Sequence, residues 1–312
     1  MAHNILFTGA SGYLGGTGHQ VKQYGAEPLV ANLNDAEDIH ARIVDLNITI
    51  VFFLVDAYTA KHQPSLIQAL GQVKAKTGRD VHFLNTTGAK QFSWHAGMPT
   101  DAPLLDTNPD LYDLQRNAKS PRDFVDDPVK ANGVVIDNAE RHGVRSYIFA
   151  LCLVYDRGEG FGNKTSIQDV SIVQAAQGAR QVCAVDAGDP TWPVCHVVDT
   201  ATLYLQILRK ILAGEEIGYG NGYYLASSGP IAWRKVYSAF AKALFKRGVV
   251  RDDQPKQVQV LLGGKCLFTA EHGYQIGWKP EYSPEHMLEV ADEEVEQILE
   301  GLQENKDKAN IR

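Results

Sequence analysis

In this chain of 312 residues, one tyrosine and one arginine have the spacing of a pair that could transfer a proton. Tyr112 and Arg116 stand four residues apart, so on a helix both side chains lie on one face. The positive charge of a guanidinium lowers the pKa of a neighbouring phenol. The spacing therefore predicts a tyrosine that supplies a proton in an acid–base reaction. The alternative is a loop tyrosine that follows Asn108 and Pro109, with Arg116 as a solvated charge.

A glycine-rich turn follows the first apolar run of the chain. Residues 8–15 have the sequence Thr-Gly-Ala-Ser-Gly-Tyr-Leu-Gly, in which the glycines are spaced G-x-x-G-x-x-G. Such a turn after a parallel strand lets backbone N–H groups and a helix N-terminus face a pyrophosphate, and a Cβ at the central glycine would obstruct that approach. The motif predicts dinucleotide binding. The alternative is a tight strand-to-helix turn that binds no ligand.

The elements that must position these residues follow from the hydrophobic pattern. In the first half, short apolar runs alternate with longer helical patterns, which is typical of βαβ units around a parallel sheet covered on both faces. The predicted strands are 4–8, 48–55, 81–85 and 146–151, with a shorter edge strand at 27–31. The predicted helices are 35–45, 64–77, 129–142, 199–213, 231–246 and 284–302. Because ligands of such sheets bind beyond the carboxyl ends of the strands, the glycine turn is placed to hold one.

Charge and composition exclude several classes of protein. The formal net charge is −7 at pH 7, and a field of this sign does not attract nucleic acid or an anionic membrane surface. No apolar run reaches the roughly 18 residues of a membrane helix, and the first residues lack the apolar stretch of a signal peptide. We therefore expect a cytoplasmic protein. The four cysteines show no C-x-x-C spacing, so neither a zinc site nor a redox pair is indicated and we expect no metal.

Three further stretches, together with the glycine turn, resemble the extended short-chain dehydrogenases/reductases, a family of NAD-dependent epimerase/dehydratase-like proteins. Residues 151–158 are similar to the strand and turn with the sequence R-P-x-x-V-Y-G-P-G in many members. Residues 193–201 are similar to the segment H-V-x-D-x-A, which opens a helix. Residues 274–280 are similar to the segment L-G-W-x-P near the C-terminus. The stretches occur in the family's order and span nearly the whole chain.

The pattern and the resemblance together predict an α/β fold, a Rossmann doubly wound parallel sheet with a smaller mixed α/β substrate lobe. Residues 1–165 are expected to form the NAD(P)-binding Rossmann domain, with 191–222 returning to it. Residues 166–190 and 223–312 are expected to form the substrate-binding lobe. The resemblance implies NAD or NADP as the cofactor, a small-molecule substrate, and a homodimer.

The family's pattern also implies positions for the residues that contact the cofactor. The pyrophosphate would be held by Gly9, Ser11, Gly12, Tyr13, Leu14 and Gly15. The ribose would lie along Leu54, Val55 and Asp56. Asn32 and Leu33 would lie beside the adenine, where members usually have Asp-Leu, and the alternative for Asn32 is an ordinary turn residue.

A catalytic hydroxyl is implied at the end of the third strand. Thr86 and Thr87 stand where the family keeps a catalytic serine or threonine. We expect Thr87 to hydrogen-bond the substrate oxygen and Thr86 to contact the cofactor. Tyr155 lies in a turn that passes close to the nicotinamide and the substrate in the family, and the alternative is that it only packs there.

The sequence departs from the family's pattern at two places. The stretch after Gly15 is too short for a full helix and a second strand, whose last residue would choose between NAD and NADP, so we infer that a segment is missing around Thr17 and Gly18. The family's Tyr-x-x-x-Lys pair, in which the lysine lowers the pKa of a proton-transferring tyrosine, is also absent. Near the place expected for that tyrosine, residues 123–127, only Phe124 is aromatic. Tyr112 with Arg116 is the best substitute.

These observations predict an NAD(P)-dependent oxidoreductase of extended short-chain type that acts on a carbonyl or alcohol of a small organic molecule. In this hypothesis Thr87 hydrogen-bonds the substrate oxygen, and Tyr112 or another acid in the cleft supplies the proton. Two alternatives stay open. Epimerases, dehydratases and isomerases share the scaffold, and an NAD(P)-binding regulator without turnover would need no Tyr-x-x-x-Lys pair.

Overall fold

Five parallel strands form the centre of the protein. The computed structural model describes residues 3–9, 22–121, 126–159, 164–185, 188–218, 222–257 and 264–310. With strands numbered along the chain, the central ones are β1 (Asn4–Phe7), β2 (Ile48–Phe53), β3 (His82–Gly88), β5 (Arg145–Leu151) and β9 (Tyr223–Leu225). They lie in the order β1-β2-β3-β5-β9, and all neighbours are parallel. All residues of β2 are buried, as expected for a strand covered on both faces.

Helices cover both faces of this sheet. The main ones are α1 (Ala36–Asp45), α2 (Gln63–Thr77), α4 (Asp126–His142) and α6 (Val197–Leu212). In β3, the side chain of Asn85 contacts Gln63 of α2, whereas the next residue, Thr86, contacts Tyr204 of α6. Successive side chains of a strand point to opposite faces. Helices α2 and α6 therefore lie on opposite faces, and the sheet is doubly wound as predicted.

Local signals set the ends of these helices. The side chain of Asp35 accepts a hydrogen bond from the N–H of Asp38, which caps the start of α1. Gly78, with φ +68°, ends α2 in the left-handed conformation that glycine adopts without strain. The imidazole of His196 accepts the N–H of Val198 at the start of α6. No helix within the described ranges is both long and apolar enough to cross a bilayer.

The second half of the chain adds a smaller mixed layer. A three-stranded sheet has the order β10-β8-β6, from β6 (Leu153–Tyr155), β8 (Thr191–His196) and β10 (Gly229–Ala232). Two strand pairs join β4 (Leu104–Leu105) to β12 (Phe268–Thr269) and β7 (Cys183–Ala184) to β11 (Lys256–Gln257). The helices are α3 (Leu111–Asn117), α5 (Ile167–Ala179), α7 (Trp233–Lys246), α8 (Glu271–Gln275), α9 (His286–Glu289) and α10 (Ala291–Asn310). Helix α10 packs on both α5 and α7.

Three sequence predictions differ from the structure. The edge strand predicted at 27–31 does not form, and Val30 is 87% exposed there, so no burial offsets the cost of ordering this backbone. The helix predicted at 284–302 is two helices, α9 and α10. Tyr223–Leu225, which the sequence assigned to the second lobe, pairs with β5 in the central sheet, where its side chains are buried. The division into two lobes otherwise stays a prediction.

Strand β1 lies at one end of the described sheet and pairs only with β2. A Rossmann sheet has the strand order 3-2-1-4-5-6, so two more strands belong beside the first one. Residues 8–35 join β1 to α1, and a single βαβ unit already takes roughly 30 residues. The described part of this connection, 22–35, contains a 3₁₀ helix at Lys22–Tyr24 and no strand. The position around Thr17 and Gly18, where the sequence analysis infers a missing segment, lies outside the described residues.

Candidate functional site

The carboxyl ends of β1, β2 and β3 meet at one edge of the sheet. Because the three strands are adjacent and parallel, the residues that follow them lie side by side. These residues are Gly9 after β1, Leu54 to Asp56 after β2, and Thr87 near the end of β3. Ligands of open α/β sheets bind at this edge. The structure thus brings together residues that the sequence analysis selected separately.

Gly9 begins the glycine turn in a conformation that requires glycine. Its φ is +70°, and a Cβ would lie 3.2 Å from the Cγ1 of Val55 and 3.3 Å from the carbonyl oxygen of Leu54. The hydroxyl of Thr8 accepts the N–H of Leu54 at 2.9 Å, which ties the start of the turn to the end of β2. The other predicted residues of the turn, Ser11, Gly12, Tyr13, Leu14 and Gly15, lie outside the described residues.

The carboxylate of Asp56 accepts several hydrogen bonds within the loop that follows β2. It accepts the N–H groups of Tyr58 (2.8 Å) and Thr59 (3.0 Å) and the hydroxyl of Thr59 (2.5 Å). Burial raises the pKa of Asp56, but these hydrogen bonds outweigh it and hold the pKa below its ordinary value. Asp56 is therefore a charged residue that shapes its own loop. Leu54 is half-buried and Val55 is 46% exposed, so Val55 offers an apolar surface at the sheet edge.

The two threonines at the end of β3 have different surroundings. The hydroxyl of Thr86 lies 2.8 Å from that of Tyr204, whose ring stacks on Phe149 at 3.7 Å. Burial raises the pKa of Tyr204 far above its ordinary value, so this phenol stays protonated. Thr87 is 1% exposed, and its hydroxyl has no hydrogen-bond partner among the described residues. Because buried hydroxyls are nearly always satisfied, the Thr87 hydroxyl is a candidate for contact with a ligand.

Asn32 and Leu33 contribute to a turn. The side-chain oxygen of Asn32 accepts the N–H of Asn34 at 3.0 Å, and its carbonyl accepts the N–H of Asp35 at 2.9 Å. Leu33 is half-buried against the core. For Asn32 the structure matches the alternative of an ordinary turn residue, and contact of this pair with adenine stays a prediction.

Comparison with solved structures identifies the fold. A UDP-glucose 4-epimerase from Thermotoga maritima, solved with UDP-glucose, is 16% identical and matches with a TM-score of 0.64 over 95% of this chain and 99% of its own. A dTDP-glucose 4,6-dehydratase from Bacillus anthracis, solved with NAD, is 13% identical, with a TM-score of 0.66 over 97% and 98%. The fold is that of the extended short-chain dehydrogenases/reductases.

A third solved structure agrees with these two. RMD from Pseudomonas aeruginosa, solved with NADPH, is 17% identical and matches with a TM-score of 0.60 over 95% of this chain and 100% of its own. No protein-family model matches the sequence, and no curated protein matches it. The likeness to the extended short-chain dehydrogenases/reductases is thus one of fold.

Tyr112 does not have the environment that its spacing to Arg116 predicted. Both residues lie on α3, and Arg116 does donate to the Tyr112 hydroxyl. That hydroxyl, however, donates to the carboxylate of Asp137 on α4 at 2.5 Å. Burial and the Asp137 carboxylate raise the pKa of Tyr112 more than Arg116 lowers it, so the prediction of a lowered pKa was wrong.

The position of Asp137 shows which part of α4 Tyr112 contacts. Helix α4 crosses back from the end of β3 to the start of β5, so it runs opposite to the strands. Asp137 lies eleven residues beyond Asp126, the first residue of α4, which is about 16 Å along the axis at 1.5 Å per residue. Tyr112 therefore contacts α4 about three turns beyond the start of that helix. The predicted catalytic roles of Tyr112 and Arg116 find no support in this geometry.

An amide network fills the space between α3, α4 and the residues after β3. The side-chain nitrogen of Asn132, a fully buried residue of α4, donates to the side-chain oxygens of Gln91 (2.7 Å) and Gln115 (3.2 Å). Gln115 also accepts the hydroxyl of Tyr223 at 3.0 Å. Amide side chains do not titrate. The part of α4 around Asn132 therefore has a structural role and supplies no proton donor that could replace the tyrosine of a Tyr-x-x-x-Lys pair.

Tyr155 belongs to the core. Its hydroxyl donates to the carbonyl oxygen of Ser283 at 3.3 Å, its ring packs edge-to-face on His196, and the residue is fully buried. Burial raises the pKa of Tyr155 far above its ordinary value. The structure therefore matches the alternative that Tyr155 only packs there, and its predicted contact with the cofactor stays untested.

Sequence reasoning missed a cluster of three potential ligand groups beside Tyr155. Atoms of Asp156, His196 and His286 lie within 4.8 Å of one another. His196 Nε2 lies 2.9 Å from the Asp156 carboxylate, and its Nδ1 accepts the N–H of Val198 at 3.2 Å. A neutral imidazole that accepts at Nδ1 carries its proton on Nε2, so His196 has no free lone pair for a metal. The donor set fits a hydrogen-bonded pair better than a metal site.

The signal for this cluster was a departure from the family's motif. Asp156 stands where the motif Y-G-P-G has glycine, and its φ is +72°. A non-glycine residue at this φ is strained. The hydrogen bond from His196, which is the main cause of the lowered pKa of Asp156, offsets that strain.

Two stretches that carried the family resemblance meet in the structure and form a clamp. The buried carboxylate of Asp199 on α6 accepts the N–H groups of Glu281 (2.8 Å) and Tyr282 (3.0 Å). The indole N–H of Trp278 donates to the Asp199 carbonyl at 3.0 Å, and the ring of Tyr282 stacks on His196 at 3.7 Å. Asp199 therefore holds the 278–282 segment against the start of α6, which is a structural role.

Proposed function

We propose that the protein is an NAD(P)-dependent oxidoreductase of extended short-chain type that acts on a carbonyl or alcohol of a small organic molecule. The observation that carries the proposal is the buried, unpartnered hydroxyl of Thr87 at the edge where this fold binds ligands. Structures with the same fold were solved with NAD and with NADPH, which supports a nicotinamide cofactor. The position of Gly9 at the start of a tight turn supports it too.

The residues at this edge fit the nicotinamide half of such a cofactor. NAD or NADP would supply or accept the hydride. The Thr87 hydroxyl would hydrogen-bond the substrate oxygen and hold the carbonyl in place, since it has no partner within the described protein. The exposed side chain of Val55 would cover one side of the site and keep water from it. Tyr112 is left out of this mechanism because its hydroxyl is bound to Asp137.

One observation favours a second candidate, an NAD(P)-binding regulator without turnover. The sequence has no Tyr-x-x-x-Lys pair, and the buried amides of Gln91, Gln115 and Asn132 occupy the inner side of α4. A regulator would bind the cofactor as tightly as an enzyme but would turn over no carbonyl. Epimerases and dehydratases on this scaffold would show turnover of a sugar nucleotide, as the names of the similar structures suggest.

Replacing Thr87 with valine tests the proposal. Without ligand, the variant should unfold at higher urea, with a free energy of unfolding greater by about 1 kcal/mol, because the unsatisfied buried hydroxyl is gone. With cofactor and a panel of carbonyl substrates, kcat/KM should fall about tenfold, which is about 1.4 kcal/mol of transition-state stabilisation. Cofactor affinity should change by less than about twofold, measured by the fluorescence of the reduced cofactor.

The neighbouring threonine gives a matched control. Thr86→Val removes the same group, but the Tyr204 hydroxyl then loses its partner, so this variant should be less stable than the parent protein. Turnover of carbonyls by Thr87→Val at the parent rate would contradict the role given to Thr87. If the parent protein binds the cofactor and turns over no substrate, the regulator is favoured, and if it binds neither NAD nor NADP in either redox state, both proposals fail.

Tyr112→Phe separates structure from catalysis. The variant keeps the ring but loses the hydrogen bonds to Asp137 and Arg116, so we expect a loss of stability of less than about 1 kcal/mol at this partly exposed site. Cofactor binding and kcat/KM should both stay within about twofold of the parent values. A drop of kcat by tenfold or more, with an unchanged urea midpoint, would show that Tyr112 acts in catalysis and would contradict this expectation.

A further inference from the structure

We propose that Asp169, Glu294 and Ser166 form a binding site for a divalent metal ion that prefers oxygen ligands, and that Ca²⁺ is the ion that fits best. Helix α10, which carries Glu294, packs on α5, which carries Asp169, and Ser166 precedes α5. These elements are separate from the strand ends that form the candidate functional site. The inference therefore does not depend on the proposed function.

The three side chains lie against one another. Burial raises the pKa of Asp169, whereas the side chains of Glu294 and Ser166 act to lower it. Side chains have such an effect on a pKa only when they are direct neighbours. The Oε2 atom of Glu294 also accepts the N–H of Asp156 at 3.3 Å. Glu294 is therefore held in place by one oxygen and keeps the other for the contact with Asp169.

Four side-chain oxygens at this contact have no hydrogen bond within the described part of the chain. They are both carboxylate oxygens of Asp169, Oε1 of Glu294 and Oγ of Ser166. The residues Asp169, Glu294 and Ser166 are 0%, 2% and 1% exposed, so the surrounding solvent does not satisfy these atoms. Buried polar atoms nearly always have a partner. Four such oxygens at one contact indicate that they bind a group from outside the chain.

The local sequence offered two of these residues other partners. Ser166 and Asp169 have the Ser-x-x-Asp spacing of a capping box, in which the serine hydroxyl and the carboxylate each accept a backbone N–H of the first turn. Ser166 is the residue before α5, but its hydroxyl makes no capping bond. The carboxylate of Asp169 accepts no bond either. Both side chains thus keep their oxygens free at a position where capping would use them.

The type and charge of the donors select the ligand. All four atoms are oxygens, which are the ligands of Ca²⁺ and Mg²⁺. The ionised carboxylates of Asp169 and Glu294 carry two negative charges, and two buried charges of one sign are costly unless a cation compensates them. A divalent ion balances both charges. The expectation of no metal came from the spacing of the cysteines, which says nothing about a site made of oxygen ligands.

The burial of the site favours Ca²⁺ over Mg²⁺. Mg²⁺ usually keeps several of its waters in an octahedral shell, whereas Ca²⁺ accepts irregular geometry and bidentate carboxylates. Both oxygens of Asp169 are free for bidentate binding. Two oxygens bound to Ca²⁺ at a right angle are about 3.3 to 3.7 Å apart, so ligand oxygens lie close together without bonding to one another. Because Glu294 also accepts the N–H of Asp156, the ion would join α5, α10 and the residue after β6.

The test is a titration of the full chain at pH 8, after treatment with EDTA and dialysis, with CaCl₂ and separately with MgCl₂. Calorimetry should show one Ca²⁺ per chain, bound about tenfold or more tighter than Mg²⁺. The thermal midpoint should rise with Ca²⁺ and then saturate, because a ligand that binds only the folded state stabilises it. NaCl at the same ionic strength should not reproduce this rise.

Three variants locate the ion. Asp169→Asn removes one negative charge and a bidentate ligand and should weaken Ca²⁺ binding about 30-fold or more. Ser166→Ala removes a neutral ligand and should weaken it about threefold. Glu293→Gln is the matched control, because it removes the same charge as a change at Glu294 but from an exposed neighbour, and should keep the dissociation constant within about twofold.

The outcomes separate a metal site from a buried pair of acids that holds only protons or water. No saturable binding of Ca²⁺ to the parent protein would overturn the proposal. Equal Ca²⁺ affinity of Asp169→Asn and the parent would overturn it too, and tighter binding of Mg²⁺ than of Ca²⁺ would overturn the assignment to calcium. In EDTA, Asp169→Asn should unfold at no lower urea than the parent, so that its loss of Ca²⁺ binding reports a lost ligand and not a lost fold.

Discussion

Replacing Asp199 with alanine should lower the free energy of unfolding by about 3 kcal/mol or more. The carboxylate is fully buried and accepts the N–H groups of Glu281 and Tyr282. Truncation leaves two amide donors without an acceptor, and each lost bond to a charged group costs about 1.5 to 3 kcal/mol. Urea unfolding followed by circular dichroism measures the loss, and tryptophan fluorescence would report the release of Trp278, whose indole N–H donates to the Asp199 carbonyl.

Thr202→Val is the matched control for this clamp. The Thr202 hydroxyl is the more distant acceptor of the Trp278 indole, at 3.3 Å against 3.0 Å for the Asp199 carbonyl. Its loss should therefore cost less than about 1 kcal/mol. A cost for Asp199→Ala as small as that of Thr202→Val would mean that the 278–282 segment is held mainly by packing, and would contradict the role we give to the carboxylate.

Much of the central sheet could be predicted because its signals are local. The run Ile48–Phe53 is apolar at nearly every position, as a strand buried on both faces requires, and the structure confirms it. The same holds for Arg145–Leu151 and for the helices that alternate with the strands. Tyr223–Leu225 was misplaced because three buried residues look the same in either sheet, and only the partner strand decides between them.

The environment of the candidate site depended on partners that spacing does not reveal. The i, i+4 geometry of Tyr112 and Arg116 was predicted correctly, since Arg116 does donate to the phenol. Asp137 on another helix reversed the expected direction of the pKa shift. In the same way, the sequence indicated both Asp199 and Trp278 through motifs, but their contact joins segments 79 residues apart. Motifs in the sequence pointed to Tyr112, Asp199 and Trp278, and the fold determined whether the role of each is chemical or structural.

A buried pair of carboxyl groups gives the second large prediction. Asp169 of α5 and Glu294 of α10 are 0% and 2% exposed and lie against each other, and Glu294 also accepts the N–H of Asp156 at 3.3 Å. Burial raises the pKa of Asp169 to about 6. Burial and the negative charge of Asp169 raise the pKa of Glu294 well above its ordinary value. The folded protein therefore holds protons on this pair at pH values where the unfolded chain has lost them.

The sign of the pH effect follows from this difference. Where the folded state binds more protons than the unfolded state, stability falls as the pH rises. For Asp169 the loss begins near its unfolded pKa of about 4 and is complete above its folded pKa of about 6. A shift of about 2 units corresponds to about 3 kcal/mol. Glu294, whose pKa is raised in the same direction, continues the loss at higher pH.

Asp169→Asn should therefore raise the free energy of unfolding at pH 8 by an amount on the order of 3 kcal/mol. The amide carries no charge at any pH and can donate to Glu294, so the thermal midpoint should change less between pH 4 and pH 8 than in the parent protein. Glu293→Gln removes the same charge from an exposed position next to Glu294 and should leave the pH profile unchanged. If Asp169→Asn were less stable than the parent at pH 8, Asp169 would be ionised with a favourable partner, and the raised pKa of Asp169 would be contradicted.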